Sequence, residues 1–133
     1  MTGYSGTPLP KKLGIKPGSI VLLLDSPEGF DEVLDSRGAG YLLAGSDDTA
    51  DVIVLFAEWE SRLAELLPIA IERLRSNGGL WIGWPKKASK VPTDITESRL
   101  RDRLLPLGIV DNKVCAIDEK WSGLRFVWRL ERR

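Results

Sequence analysis

Three short stretches of this sequence bring together side chains able to bind or react. Asp25-Ser26-Pro27-Glu28 sets two carboxylates and a hydroxyl within one turn. Carboxylates that close can hold a divalent cation, or divide into acid and base when their environments differ. The commoner use of such a turn is local: Asp25 or Ser26 caps a helix, and Glu28 favours its dipole. Trp84-Pro85-Lys86-Lys87-Ala88-Ser89-Lys90 places a rigid aromatic beside three ammonium groups, a combination that grips phosphate, carboxylate or a nucleotide base. Lysine-rich loops are more often simply solvated. Trp59 lies between Glu58 and Glu60. With Trp84 and Trp121 it falls at a strand end or turn, where half-buried rings mark a ligand cleft, a partner surface or only a packed turn, whereas Trp81 and Trp128 read as core.

The chemistry that is missing narrows the field. There is no histidine, the commonest general base and transition-metal ligand. Cys115 therefore has no imidazole to activate it and reads as an inert small hydrophobe. No GxSxG, GxxxxGKS/T or paired CxxC motif occurs. The candidate positions are Asp25, Ser26, Glu28, Trp59, Trp84, Lys86, Lys87 and Lys90, all as ligand-binding residues; none is assigned a catalytic or metal-binding role.

The hydrophobic pattern shows which elements must position them. Ser19 to Leu24, with its IVLLL core, and Asp51 to Ala57 are continuous apolar runs, as expected of parallel strands covered on both faces. Phe30 to Leu34 reads as a short helix and Tyr41 to Ala44 as a short strand. Leu63, Leu66, Leu67, Ala70, Ile71 and Leu74 trace one face of a helix. Pro68 is expected to kink or divide it, and Asn77-Gly78-Gly79 to supply a left-handed C-cap. Leu80 to Trp84 is a third parallel strand. Asp94 with Glu97 fits a capping box for a helix from Ile95 to Leu105, which Glu97 and Arg101 support as an i,i+4 pair. Val114 to Ile117, a turn at Lys120–Gly123 and an alternating strand from Leu124 to Leu130 form a closing antiparallel hairpin. Open parallel sheets bind ligands beyond the carboxyl ends of their strands, which selects the loops Asp25–Phe30, Ala57–Glu60 and Trp84–Lys90.

The 133 residues, 43% of them hydrophobic, suffice for one domain with its own core. One domain over residues 1–133 is expected, with residues 1–12 as an extended arm whose Tyr4 and Leu9 clasp the body. A single cysteine and no apolar leader or span point to the cytoplasm and away from membranes. Net charge is zero but unevenly spread: residues 25 to 60 hold ten acids against Arg37, and residues 61 to 133 hold fifteen basic residues against nine acids. That layout favours head-to-tail contacts or an anionic ligand, and neutrality argues against general nucleic-acid binding.

DVIVLFA, the helix to SNGG, LWIGW, a second helix and the pair ending FVWRL resemble the second half of a class I S-adenosylmethionine methyltransferase. LGIKPGSIVLLL resembles the lead-in to that fold's first strand, so the chain looks like a shortened methyltransferase. GYSGTPLPKKLGIKPG, WPKKASKVPTD and DNKVCAIDEKWSGLRFV also resemble a family of short bacterial proteins known as a domain of unknown function. The resemblance implies a three-layer α/β Rossmann-like domain, its mostly parallel sheet closed by a C-terminal antiparallel hairpin. In methyltransferases the first strand leads into a glycine-rich loop and the second ends in an acid that holds the ribose. Here the loop is DSPEGF, and only about twenty residues separate Phe30 from Asp51, so adenosylmethionine is disfavoured and no cofactor is expected. The expected role is a non-catalytic methyltransferase-like domain binding a small anion, a second copy or a protein partner. A divergent methyltransferase or other small-substrate enzyme, and a structural interaction module, are the alternatives.

Overall fold

The structure, a computed structural model, describes residues 7–35 and 38–133; Tyr4 and Arg37 lie outside the described residues. In chain order the elements are α1 (Leu9–Lys12), β1 (Ile20–Leu24), α2 (Phe30–Asp35), β2 (Leu42–Leu43), β3 (Ala50–Phe56), α3 (Glu60–Arg73), β4 (Leu74–Pro85), α4 (Glu97–Leu104), β5 (Ile109–Ala116) and β6 (Trp121–Trp128). The strands form one sheet in the order β2-β1-β3-β4-β6-β5. β2, β1, β3 and β4 run parallel, and β6 pairs antiparallel with both β4 and β5.

The apolar strand runs follow from burial on two sides. Leu22, Ile53, Leu55, Leu80 and Ile82 face a cluster completed by Leu63, Leu66, Leu67 and Ala70 of α3 and Leu100 and Leu104 of α4. Their neighbours Val21, Val52, Val54, Phe56 and Trp81 face the opposite cluster, closed by Phe30 and Leu34 of α2 and by Leu13 and Ile15 after α1. Period-two alternation thus feeds two cores at once. Leu9 packs on the second cluster, and the Trp81 indole N–H donates to the Leu13 carbonyl at 3.0 Å. Among the described residues no helix is long and apolar enough to cross a membrane.

The structure differs from expectation at four joints. α3 runs unbroken through Pro68. No left-handed cap follows it: Leu74 is already extended, and Gly78 and Gly79 lie within β4 at negative or extended φ. Those glycines serve close approach instead. A Cβ at Gly78 would stand 2.8 Å from the Asp51 carbonyl, and one at Gly79 2.8 Å from the Arg125 guanidinium carbon. They sit where β4 advances from Leu74 to Gly79 while β3 advances only from Ala50 to Val52, a bulged register. The N-cap of α4 is Thr96, whose hydroxyl accepts from the Arg99 N–H, because Asp94 is taken by the Glu60 N–H at the start of α3. The Glu97–Arg101 pair forms as expected, at 2.9 Å. Finally, the closing turn is at Asp118–Lys120, where the Asp118 carboxylate accepts from the N–H groups of Lys120 and Trp121, so β6 begins at Trp121.

Candidate functional site

The chain turns one way from β1 to β2 and returns across β1 to β3, so β1 and β3 are adjacent strands whose loops diverge at their carboxyl ends. This is the switch point at which open α/β sheets take ligands. The β1–α2 turn is tight. Asp25 (φ 55°) and Gly29 (φ 81°) both take the left-handed conformation, and α2 starts at Phe30. The exposed carboxylate of Asp25 receives a bidentate pair from Arg62 of α3, Nε at 2.7 Å and the second nitrogen at 2.8 Å. This guanidinium holds the Asp25 carboxyl below its usual range, and the carboxylate raises Arg62 in return. Ser26 is partly covered and Glu28 exposed beside this pair.

One strand further on, Glu58 binds Lys120 at 2.8 Å, and the Lys120 ammonium lies 4.7 Å from the Trp121 ring centre. Trp121 stacks edge-on against Phe56, and Phe56 against Phe30, at 5.0 and 4.8 Å between centroids, giving an aromatic row along this edge. The Lys86 N–H donates to the Lys120 carbonyl, which brings the lysine loop beside Glu58. That loop makes one tight helical turn at Lys87–Ser89, closed by Lys90 in the left-handed region, and the Ser89 hydroxyl donates to the Lys86 carbonyl. Lys86, Lys87 and Lys90 make no ion pair among the described residues. Glu60, below Trp59, is engaged by Arg99 at 2.8 Å and Arg103 at 3.7 Å.

Six of the eight predicted residues therefore fall into two groups. Asp25, Ser26 and Glu28 line the switch point; Lys86, Lys87 and Lys90 lie over β4 and β6. Trp59 is 45% exposed at the start of α3. Trp84 is elsewhere: only 8% exposed, it shares a strand face with Leu80 and Ile82 and packs in the α3–α4 core. Trp121 is likewise buried, at 7%. Among the described residues no three His, Cys, Asp or Glu side chains assemble as a metal site, so Asp25 and Glu28 have no third ligand. Burial pushes the Cys115 thiol up, partly opposed by Lys12, Lys113 and Lys86. Reading by motif missed Arg62, Glu58 and Lys120. Arg62 had a signal: a cation in the first turn of a helix opposes the dipole and calls for an anionic neighbour.

No family model and no curated protein matches the chain. Solved structures do. A SAM-dependent methyltransferase from Aquifex aeolicus superposes over 87% of this chain and 85% of its own at TM-score 0.64, with 17% identity. The fold is that of the methyltransferases, shortened. The N-methyltransferase NodS from Bradyrhizobium japonicum covers 89% of this chain and 90% of its own at TM-score 0.58 and 15% identity. Fibrillarin from Aeropyrum pernix, with natively bound S-adenosylmethionine, covers 94% of this chain and 70% of its own at TM-score 0.54 and 15% identity.

These neighbours overturn the expectation that adenosylmethionine is disfavoured and no cofactor binds. The single glycine of DSPEGF does not preclude the turn, because Asp25 adopts the left-handed conformation itself. Only about twenty residues separate Phe30 from Asp51, fewer than two full strand-helix units need. The loss falls at the outer edge, where β2 is the last strand, and leaves β1 and β3 side by side. A fold of this outline, matched over 94% of the chain, holds the cofactor in the fibrillarin.

Proposed function

We propose that the protein is a divergent methyltransferase-like domain that binds S-adenosylmethionine at the switch point between β1 and β3. The observation that carries this reading is the Asp25–Arg62 pair, one carboxylate at the end of β1 and one guanidinium in the first turn of α3, 2.7 Å apart. The pair matches in sign the α-amino and α-carboxylate groups of the cofactor's amino-acid end. The aromatic row of Phe30, Phe56 and Trp121 is buried in the core beneath this edge. When bound, the cofactor supplies an electrophilic methyl group; Asp25 and Arg62 hold and orient its amino-acid end. β2 is followed by Ala44-Gly45 rather than by an acid, so binding rests on that end and is weak.

A second reading, a non-catalytic domain that takes a small anion or a protein partner, is favoured by a different observation. The charges at this edge are already spent on one another in the Asp25–Arg62, Glu58–Lys120 and Glu60–Arg99 pairs, while Lys86, Lys87 and Lys90 make no ion pair among the described residues. Calorimetry on the full chain separates the two. Adenosylmethionine or its demethylated product should bind, and Asp25→Ala or Arg62→Ala should weaken binding by about tenfold, as loss of a charge-assisted contact does. No heat at millimolar cofactor removes the first reading. Citrate binding that is lost in Lys86→Gln/Lys87→Gln supports the second.

A further inference from the structure

At the opposite, amino-terminal end of the sheet, on the face covered by α1, lies a cleft of about 450 Å³. Its wall carries Lys12 at the end of α1, Lys16 from the segment after it, Lys113 of β5 and Arg125 of β6. Against these cations stands one carboxylate, Asp51, and its charge is already committed: one oxygen binds Arg75 and the other accepts the Ile20 N–H, each at 2.8 Å. Lys16, Lys113 and Arg125 make no ion pair among the described residues.

The arrangement is costly without an anion. Lys113 and Arg125 are directly opposed across the antiparallel β5–β6 pair, and like charges in that position repel. The Arg125 guanidinium is partly buried over Gly79, the one residue type that leaves it room, and its polar contact is the Asn112 amide oxygen at 3.4 Å. Burial holds this guanidinium below the ordinary arginine range, and Arg133 adds repulsion. Desolvated cations persist in folded proteins where an anion compensates them. A monoanion would answer one of these cations and leave the repulsion among the others.

We propose that this cleft is a binding site for a polyphosphate group, either free pyrophosphate or the phosphate end of a nucleotide, with Arg125 as its fork and Lys113 and Lys16 as its flanking charges. The site is separate from the switch point, lying at the amino-terminal rather than the carboxyl ends of β1 and β3.

Calorimetry on the full chain at low salt, with pyrophosphate, ADP and acetate as probes, tests it. Pyrophosphate and ADP should bind and acetate should not. Arg125→Gln and the exposed Lys113→Gln should each weaken binding by about tenfold or more. Equal affinities identify phosphate alone as what is read, and tighter ADP shows that the nucleoside adds contacts; either result supports the site. Absence of heat from both probes overturns the proposal, as does undiminished binding in both variants. Binding that survives Arg125→Gln but is lost in Lys87→Gln places the anion at the carboxyl-edge loop and also overturns it, whatever adenosylmethionine does there.

Discussion

Asp25 is held in the left-handed region, a conformation that disfavours most side chains, and its carboxylate answers a cation that the helix dipole alone would disfavour. The linkage has a definite sign. The Arg62 guanidinium depresses the folded-state pKa of Asp25 below the ordinary aspartate range, so the unfolded chain binds more protons in that range. The pair's stabilisation is full above about pH 4 and is lost as pH falls through the folded value. Asp25→Asn should therefore flatten part of the acid limb of stability, read as a smaller drop in urea midpoint between about pH 5 and pH 3. An identical drop in variant and wild type would show the pair to be fully screened. Much of the site's make-up was legible as residue types near strand ends: Asp25, Glu28 and the lysine loop all lie at the carboxyl edge. What was not legible is who meets whom. Arg62 is 37 positions from Asp25 and Lys120 is 62 from Glu58, and no local pattern encodes those meetings.

At the scale of the elements, two neighbouring cap residues serve two different helices. Thr96 caps α4, while Asp94 reaches back to the first N–H of α3 and Thr93 donates to the Glu58 carbonyl, so this one loop sets the start of both helices. Thr96→Ala should lower stability by about 1 kcal/mol, a common cost of losing an N-cap, measured by urea unfolding. Asp94→Ala should cost a similar amount, and should in addition loosen the β3–α3 loop beside Asp25, seen as faster amide exchange at Glu60. Exchange there unchanged from wild type would mean that Asp94 does not hold α3. The strands β1, β3 and β4 were readable as continuous apolar runs and the helix α3 by its apolar period. Asp94 was misread as the cap because Asp94 and Thr96 are both cap-type residues, and the competitor that decides between them lies 34 positions away. Gly78 and Gly79 were misread for the same reason: a glycine needed for close approach to Asp51 and Arg125 looks in sequence like a glycine needed for a turn.

For the whole molecule, the α/β class and the antiparallel finish could be inferred from alternation, since Leu124, Phe126 and Trp128 share one strand face. The strand order could not, because it depends on pairings between distant segments. That order has a kinetic consequence. β6, the last strand in sequence, is inserted between β4 and β5. Until it arrives, β4 shows an unpaired edge beside Trp81 and Ile82, both fully buried in the finished fold, and β5 has no neighbour to join. A chain emerging during synthesis thus carries an open apolar edge from the completion of β4 until β6 is made, the kind of surface chaperones shield and aggregates recruit. Insertion late on the folding path follows, so Phe126→Leu should express its destabilisation in the unfolding rate and leave refolding nearly untouched in stopped-flow measurements. Slowed refolding would mean instead that the final strand nucleates the sheet it completes.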